Sequence, residues 1–157
     1  MPIDESQFKL AMSHFASGVT IVTTEHEGTP YGITVASFAS LSLRPPLVVI
    51  CIEKMAKSHD AIAASKKFGV SILEEKQADI SGRFASKIDD KFTGVEVKKG
   101  RSGVPLIAGS LCMLECQLRD RFAGGDHSIF IGEVVEAYIG PGSPLVYYRS
   151  SYKHINA

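Results

Sequence analysis

Between residues 19 and 52 the chain passes through four strand-like runs in succession, with turns but nothing helical between them. Residues 19–24 (VTIVTT) are β-branched throughout, which suits a pleated surface. Glu27-Gly28-Thr29-Pro30 reads as a turn into a second run over 31–36. A third run covers 37–43, with Ala39, Leu41 and Leu43 on one face and Phe38, Ser40 and Ser42 on the other. Arg44-Pro45-Pro46 breaks it, and residues 47–52 (LVVICI) read as a strand buried on both faces. Strands joined by short turns pair antiparallel, because parallel neighbours need a long crossover. That argues against a doubly wound parallel sheet.

The remaining segments agree. Asp4 is placed to cap an opening helix with Gln7 three residues on. Phe8, Ala11, Met12 and Phe15 follow at helical spacing, and Gly18 is the expected stop. Ser58 is the expected N-cap of a short helix to residue 64, and 68–73 alternates as a strand. Residues 76–85 suit a helix, with Ile80 and Phe84 four apart. Residues 86–109, charged and punctuated by glycine, read as a long surface loop. Further strands are expected at 111–118, 128–138 and 145–148. The pattern predicts a mainly β chain, an antiparallel barrel or sandwich with peripheral helices. No repeat or linker divides it, so residues 1–157 are expected to form one domain.

Several classes of function are disfavoured. Lys plus Arg equals Asp plus Glu at 17 each, which leaves no electrostatic footprint for nucleic acid. The longest apolar run is far short of the ~20 residues that span a bilayer. The start, MPIDES, lacks the basic and apolar regions of a secretory signal, and a cytoplasmic setting is expected. Of three cysteines, Cys112 and Cys116 share a strand face. At ~3.3 Å per residue they lie ~13 Å apart, too far to bridge or to clasp one metal. The five histidines show no metal spacing, and no metal is expected. There is no G-x-G-x-x-G after a strand, no Walker A loop and no G-x-S-x-G elbow.

Two stretches are unusual for a plain barrel. Residues 34–43 mix Ser and Thr with small apolar side chains, a wall that suits a flat apolar ligand with polar edges. They equally suit a half-buried strand with its serines facing water. Residues 123–128 (AGGDHS) place an ionisable pair, Asp126 and His127, at a glycine-rich tip between strands. They equally suit a hairpin turn with an exposed histidine.

Together these stretches resemble the flavin reductase-like proteins with an FMN-binding split barrel, the small reductase components of two-component flavin monooxygenases. Residues 15–24 (FASGVTIVTT) are similar to that family's helix end and first strand, and 34–52 to its central flavin segment. Lys57-Ser58-His59 resembles its phosphate loop. Arg83-Phe84-Ala85 with Asp90-Lys91-Phe92 resembles its next signature, and Gly125-Asp126-His127 with residues 130–134 (FIGEV) its nicotinamide loop and strand. Residues 144–149 (PLVYYR) with Tyr152 resemble its carboxyl end. Val35 departs from the small or polar side chain common there.

The resemblance implies an antiparallel Greek-key split β-barrel. It implies that Ala36, Ser37, Phe38, Ala39 and Ser40, with Ser42 and Leu43, line the ring and ribityl chain of FMN or FAD. Lys57, Ser58 and His59 are implied to bind phosphate, with Arg83 as its charge partner and Phe84 completing the wall. On the residues alone, Arg83 is also a solvated helix charge and Phe84 a core side chain. His127 is implied to position the nicotinamide of NADH or NADPH, with Tyr148, Arg149 and Tyr152 closing over it. The implied reaction is hydride transfer from nicotinamide to flavin by a homodimer that supplies a partner flavin-dependent monooxygenase. A flavin-binding electron carrier or store would share the wall, but has no need of Asp126-His127 or Tyr148-Arg149.

Overall fold

The computed structural model describes residues 1–155. In chain order the elements are α1 (Glu5–Met12), β1 (Ser17–Gly18), β2 (Thr20–His26), β3 (Thr29–Val35), β4 (Phe38–Ser42) and β5 (Leu47–Glu53). Then come α2 (Lys57–Ser65), β6 (Lys67–Ile72), α3 (Ala78–Ala85), β7 (Val97–Lys99) and β8 (Pro105–Ile107). The long hairpin β9 (Cys112–Gly124) and β10 (His127–Ile139) follows, and the short strands β11 (Val146–Tyr148) and β12 (Ser151–Lys153) end the chain.

Seven strands form one sheet in the order β3-β2-β6-β9-β10-β5-β4. Every pairing in it is antiparallel, as the successive short turns require. The edge strands β3 and β4 are joined only through Ala36 and Ser37, so the sheet must curl until its two edges meet. This is the split barrel. Its interior holds Val22, Ile50, Ile62, Phe68, Val70 and Phe130, all with no exposed surface, and Ile62 brings α2 into that core. A second cluster, including Ile21, Leu73, Phe84, Ile107 and Leu145, lies under α3.

Some expectations need correction. The opening helix stops at Met12 rather than Gly18. The Ser13 hydroxyl and the His14 ring Nδ1 both donate to the Leu10 carbonyl, at 2.7 and 2.8 Å, and so end the turn locally. Among the described residues no side chain of α1 is buried: Phe8 is 53% exposed, and Phe15, just past the helix, is 79% exposed. Strand β5 is buried on one face only: Val48, Ile50 and Ile52 point inward, while Leu47, Val49 and Cys51 are half-buried. In β4 the period of two fails at Leu41, because Ser40 pairs with Val48 and Ser42 with Leu47, so Leu41 bulges out.

The expected surface loop over 86–109 is also more than a loop. It contains the pair β7–β8, and Val104, Leu106 and Ile107 are wholly buried. Thr23 bonds the Pro105 carbonyl, and Ser71 Oγ accepts from the Ile107 amide at 3.0 Å. A four-residue apolar stretch, VPLI, was outweighed by its charged flanks in the sequence.

Glu115 is wholly buried, on the face of β9 opposite Cys116. Its carboxylate accepts from the Ser102 amide (2.8 Å) and hydroxyl (2.5 Å), the Arg101 amide (3.2 Å) and the Tyr138 hydroxyl (2.8 Å). Gly100 passes so near that a Cβ there would collide with the carboxyl.

Candidate active site

The site begins where β5 ends and α2 starts. Ala56, not Ser58, is the N-cap, and its side chain can make no capping bond. Ser58 sits instead in the first turn. Among the described residues, the Lys57 and Ser58 amides and the Ser58 hydroxyl donate to no protein acceptor. Unused N–H groups at a helix start, aligned with its dipole, favour an anion.

These groups line a cavity of about 550 Å³. Its other walls come from Tyr31 and Ile33 of β3, from Met55, and from residues 85–89 at the end of α3 and just beyond it. Lys57 Nζ reaches Asp89 at 3.1 Å across the mouth. Lys91 forms part of the wall, donating to the carbonyls of Gly32 (3.1 Å) and Phe84 (2.9 Å). Burial, and then the charge of Lys57, hold the Lys91 ammonium below the usual lysine range. Lys91 was not among the expected contacts, although it lies in the Asp90-Lys91-Phe92 signature.

Arg83 and Phe84 support this wall without facing into the cavity. Arg83 donates from Nε to the Lys91 carbonyl (2.7 Å) and from an Nη to the Asp90 carbonyl (2.9 Å), pinning the segment after α3. Phe84 has no exposed surface and packs edge-on to Phe92 at 5.0 Å. The reading of Phe84 as a ligand-facing wall is therefore corrected to core packing.

His59 also departs from the expected phosphate role. Its ring is buried, with Nδ1 2.9 Å from Asp60 Oδ1 and Nε2 2.8 Å from Ser128 Oγ. Both ring nitrogens are engaged within the protein, so neither is available to a ligand.

The segment expected to carry the flavin ring is open. Ala36, Ser37, Ala39, Ser40 and Leu43 are exposed, and Ser42 is half-buried. Phe38 turns inward and packs on the barrel core. The Cys51 amide donates to the Ser37 carbonyl at 3.3 Å, and the Ser37 hydroxyl donates to the Cys51 carbonyl at 3.1 Å. On the other flank of β5, His127 pairs with Glu53, a residue of the cavity rim. The shelf at Ser37 and the ring of His127 thus flank the last turn of the same strand.

The β9–β10 hairpin is tight, with Gly124 paired to His127 and Gly125 at φ 62°. A first turn residue in the left-handed region favours glycine. The turn is fastened to the barrel by the Lys54 amide, which donates to the Asp126 carbonyl at 2.9 Å. Asp126 Oδ1 lies 2.6 Å from His127 Nδ1, and that bond holds the Asp126 carboxyl below its ordinary value. A carboxylate only accepts, so Nδ1 carries a proton, and the ring stays half-exposed.

Tyr148, Arg149 and Tyr152 form a separate patch. Tyr152 hydroxyl and Ser81 hydroxyl are 2.7 Å apart, Arg149 amide donates to the Ser13 carbonyl at 2.8 Å, and Tyr148 meets the ring of His14 edge-on. Arg149 and Ser150 both have positive φ, the geometry of a two-residue hairpin turn. No hydrogen bond, ion pair or ring contact among the described residues joins this patch to Lys57, Ser58 or His127.

The fold as a whole has counterparts in known proteins. Residues 12–156 match the flavin reductase like domain. The chain belongs to the flavin reductase-like family. This flavin reductase-like chain is 43% identical over 153 residues to the reductase component of 4-nitrophenol 4-monooxygenase/4-nitrocatechol 2-monooxygenase of Rhodococcus opacus, covering 98% of this chain and 82% of the relative. It is 41% identical over 156 residues to the flavin-dependent monooxygenase reductase subunit HsaB of Mycobacterium tuberculosis, covering 98% and 83%. Its fold matches the NADH:FAD oxidoreductase SgcE6 of Streptomyces globisporus with a TM-score of 0.95 at 37% identity, covering 100% and 96%. That protein has also been solved with NAD and FAD fragments.

Proposed function

We propose that this chain is an NADH-dependent flavin reductase that delivers reduced FAD or FMN to a partner monooxygenase. The observation that carries the reading is the α2 start, where Lys57 and Ser58 line the cavity and, among the described residues, their amides and the Ser58 hydroxyl donate to no protein acceptor. A phosphate, common to FMN and FAD, fits that donor set. When bound, the flavin supplies the ring that accepts hydride.

The protein's part is to hold and orient. Lys57 adds a cation at the cavity mouth, and Lys91 fixes the β3 wall. The exposed strand from Ala36 to Ser40 offers a shelf beside the end of β5. His127, held by Asp126, orients the nicotinamide rather than moving a proton. Tyr148, Arg149 and Tyr152 lie apart from this shelf within one chain, so in this reading they serve as its outer cover.

A homodimer belongs to the same reading. The exposed side chains of α1 (Phe8, Met12), Phe15 just after it, and the edge strand β4 with Leu41 and Leu43 are the apolar surfaces a second copy would cover. A cytoplasmic setting accords with three unpaired cysteines. No helix among the described residues is long and apolar enough to cross a membrane.

The test is steady-state oxidation of NADH and NADPH by the purified protein with FMN, FAD or riboflavin. Turnover that depends on added flavin is expected, with NADH preferred. Flavin binding without nicotinamide oxidation would instead support the carrier reading.

A further inference from the structure

We infer that the His59–Ser128 hydrogen bond couples the phosphate-binding start of α2 to the His127 hairpin, making both residues positioning residues for hydride transfer. The inference rests on the flavin reductase reading above. His59 stands one residue after Ser58, whose hydroxyl opens onto the cavity, and Ser128 stands one residue after His127. The 2.8 Å contact between Nε2 and Oγ therefore bridges the two ends of the site through the barrel interior.

The geometry fixes the direction of the bond. Asp60 accepts from Nδ1, so in the neutral ring Nε2 has only a lone pair and the Ser128 hydroxyl must donate to it. The ring has little freedom to let go. Phe130 packs edge-on against it at 5.1 Å, and both His59 and Ser128 are buried. Ser128 is itself held between Ile52 of β5 and Ala123 of β9. Successive strand residues face opposite sides, so fixing Ser128 inside fixes His127 outside. A phosphate that draws on the first turn of α2 thus sets, through one buried hydrogen bond, the register of the group that orients the nicotinamide.

A residue that merely stabilises the fold predicts something different. Its loss lowers activity with every flavin in proportion. Coupling predicts that the benefit of the phosphate to nicotinamide use depends on the bond. The experiment compares kcat/KM for NADH with FMN and with riboflavin, which differ only in the phosphate. Wild type is expected to show a ratio of about tenfold in favour of FMN, the scale of one hydrogen bond's worth of orientation. Ser128→Ala is expected to bring that ratio to below about twofold, within the scatter of a lost coupling. Ser128→Thr, which keeps a hydroxyl, is expected to restore it.

Two variants at the other end guard against a folding failure in Ser128→Ala. His59→Asn keeps an amide near the Nδ1 position and loses the contact to Ser128, so the ratio should collapse. His59→Gln reaches toward the Nε2 position and should retain it. A ratio that persists in both Ser128→Ala and His59→Asn overturns the coupling, as does a wild-type ratio near one. Wild-type protein that oxidises no nicotinamide with any flavin overturns the reductase reading, and the coupling with it.

Discussion

A Cβ placed on Gly32 would stand 2.5 Å from Cε1 of Phe84, so β3 and α3 touch through a glycine that has no room for any side chain. The Gly32 carbonyl receives Lys91, and Gly32 lines the cavity. Gly32→Ala is therefore expected to cost about 1–3 kcal/mol of stability through overpacking against a fully buried ring. It should also weaken flavin binding. Thermal denaturation with flavin fluorescence titration checks both, and a variant with wild-type values in each would contradict the packing account.

Lys57 and Arg83 should separate cleanly. Lys57→Ala removes a cation at the cavity mouth and is expected to weaken FMN by roughly threefold to tenfold while leaving riboflavin nearly unchanged. Arg83 spends its donors on the Asp90 and Lys91 carbonyls, so Arg83→Ala should loosen that wall and weaken both flavins together. Parallel titrations with FMN and riboflavin decide it. An FMN-selective loss in Arg83→Ala would put its guanidinium on the phosphate.

His127→Ala is expected to leave flavin affinity near wild type and to lower kcat/KM for the nicotinamide by roughly fivefold to a hundredfold, from lost orientation. Asp126→Asn should give a smaller loss of the same kind, because an amide can present either end to Nδ1. Stopped-flow reduction of bound flavin measures the step directly. Unchanged reduction rate and nicotinamide affinity would return His127 to the role of an exposed hairpin residue.

Glu115 carries a pH signature. Burial alone would raise its carboxyl, but the hydrogen bonds from Ser102, Tyr138 and Arg101 outweigh burial and hold it below its ordinary 4.5. A folded-state value below the unfolded one means that the carboxylate's stabilisation is present above about 4.5 and is lost as pH falls through the folded value. Glu115→Gln should lower Tm at neutral pH, and the gap to wild type should narrow as the pH is taken below that range. A gap of constant size down to acid unfolding would show that the charge of Glu115 is not what matters.

The thiols should react in order of access. Burial, then the charge of Glu115, pushes the Cys116 thiol up to about 12, and Cys116 is 1% exposed. Alkylation of native protein at mildly alkaline pH is expected to spare Cys116, with all three cysteines modified only after denaturation. Mass mapping of the modified peptides reads the outcome, and early labelling of Cys116 would mean that β9 opens locally.

The barrel was legible in the sequence because its strands follow one another through recognisable turns and because β2 and β5 are rich in β-branched and apolar residues. Local patterns did not reveal what only the tertiary fold decides. Residues 104–107 look like part of a charged loop until β8 is seen against Thr23 and Ser71. Leu41 fits an alternating face until pairing with β5 forces it to bulge. The site was legible as a set of motifs, and those motifs fall at the start of α2 and at the hairpin tip. They did not tell a ligand from its support: His59 and Phe84 stand among ligand-like neighbours, yet burial commits one to Ser128 and the other to the core.

Strand β5 gains β4 as a neighbour almost at once, but its other flank is completed only by β10, which begins at His127. A chain emerging from the ribosome therefore carries its most apolar strand half-paired until β10 has been made. Pairings this distant in sequence make a fold slow to complete and expose apolar edges meanwhile. Truncation anywhere before β10 leaves the Leu47–Glu53 edge open, and with it a template for pairing with another chain.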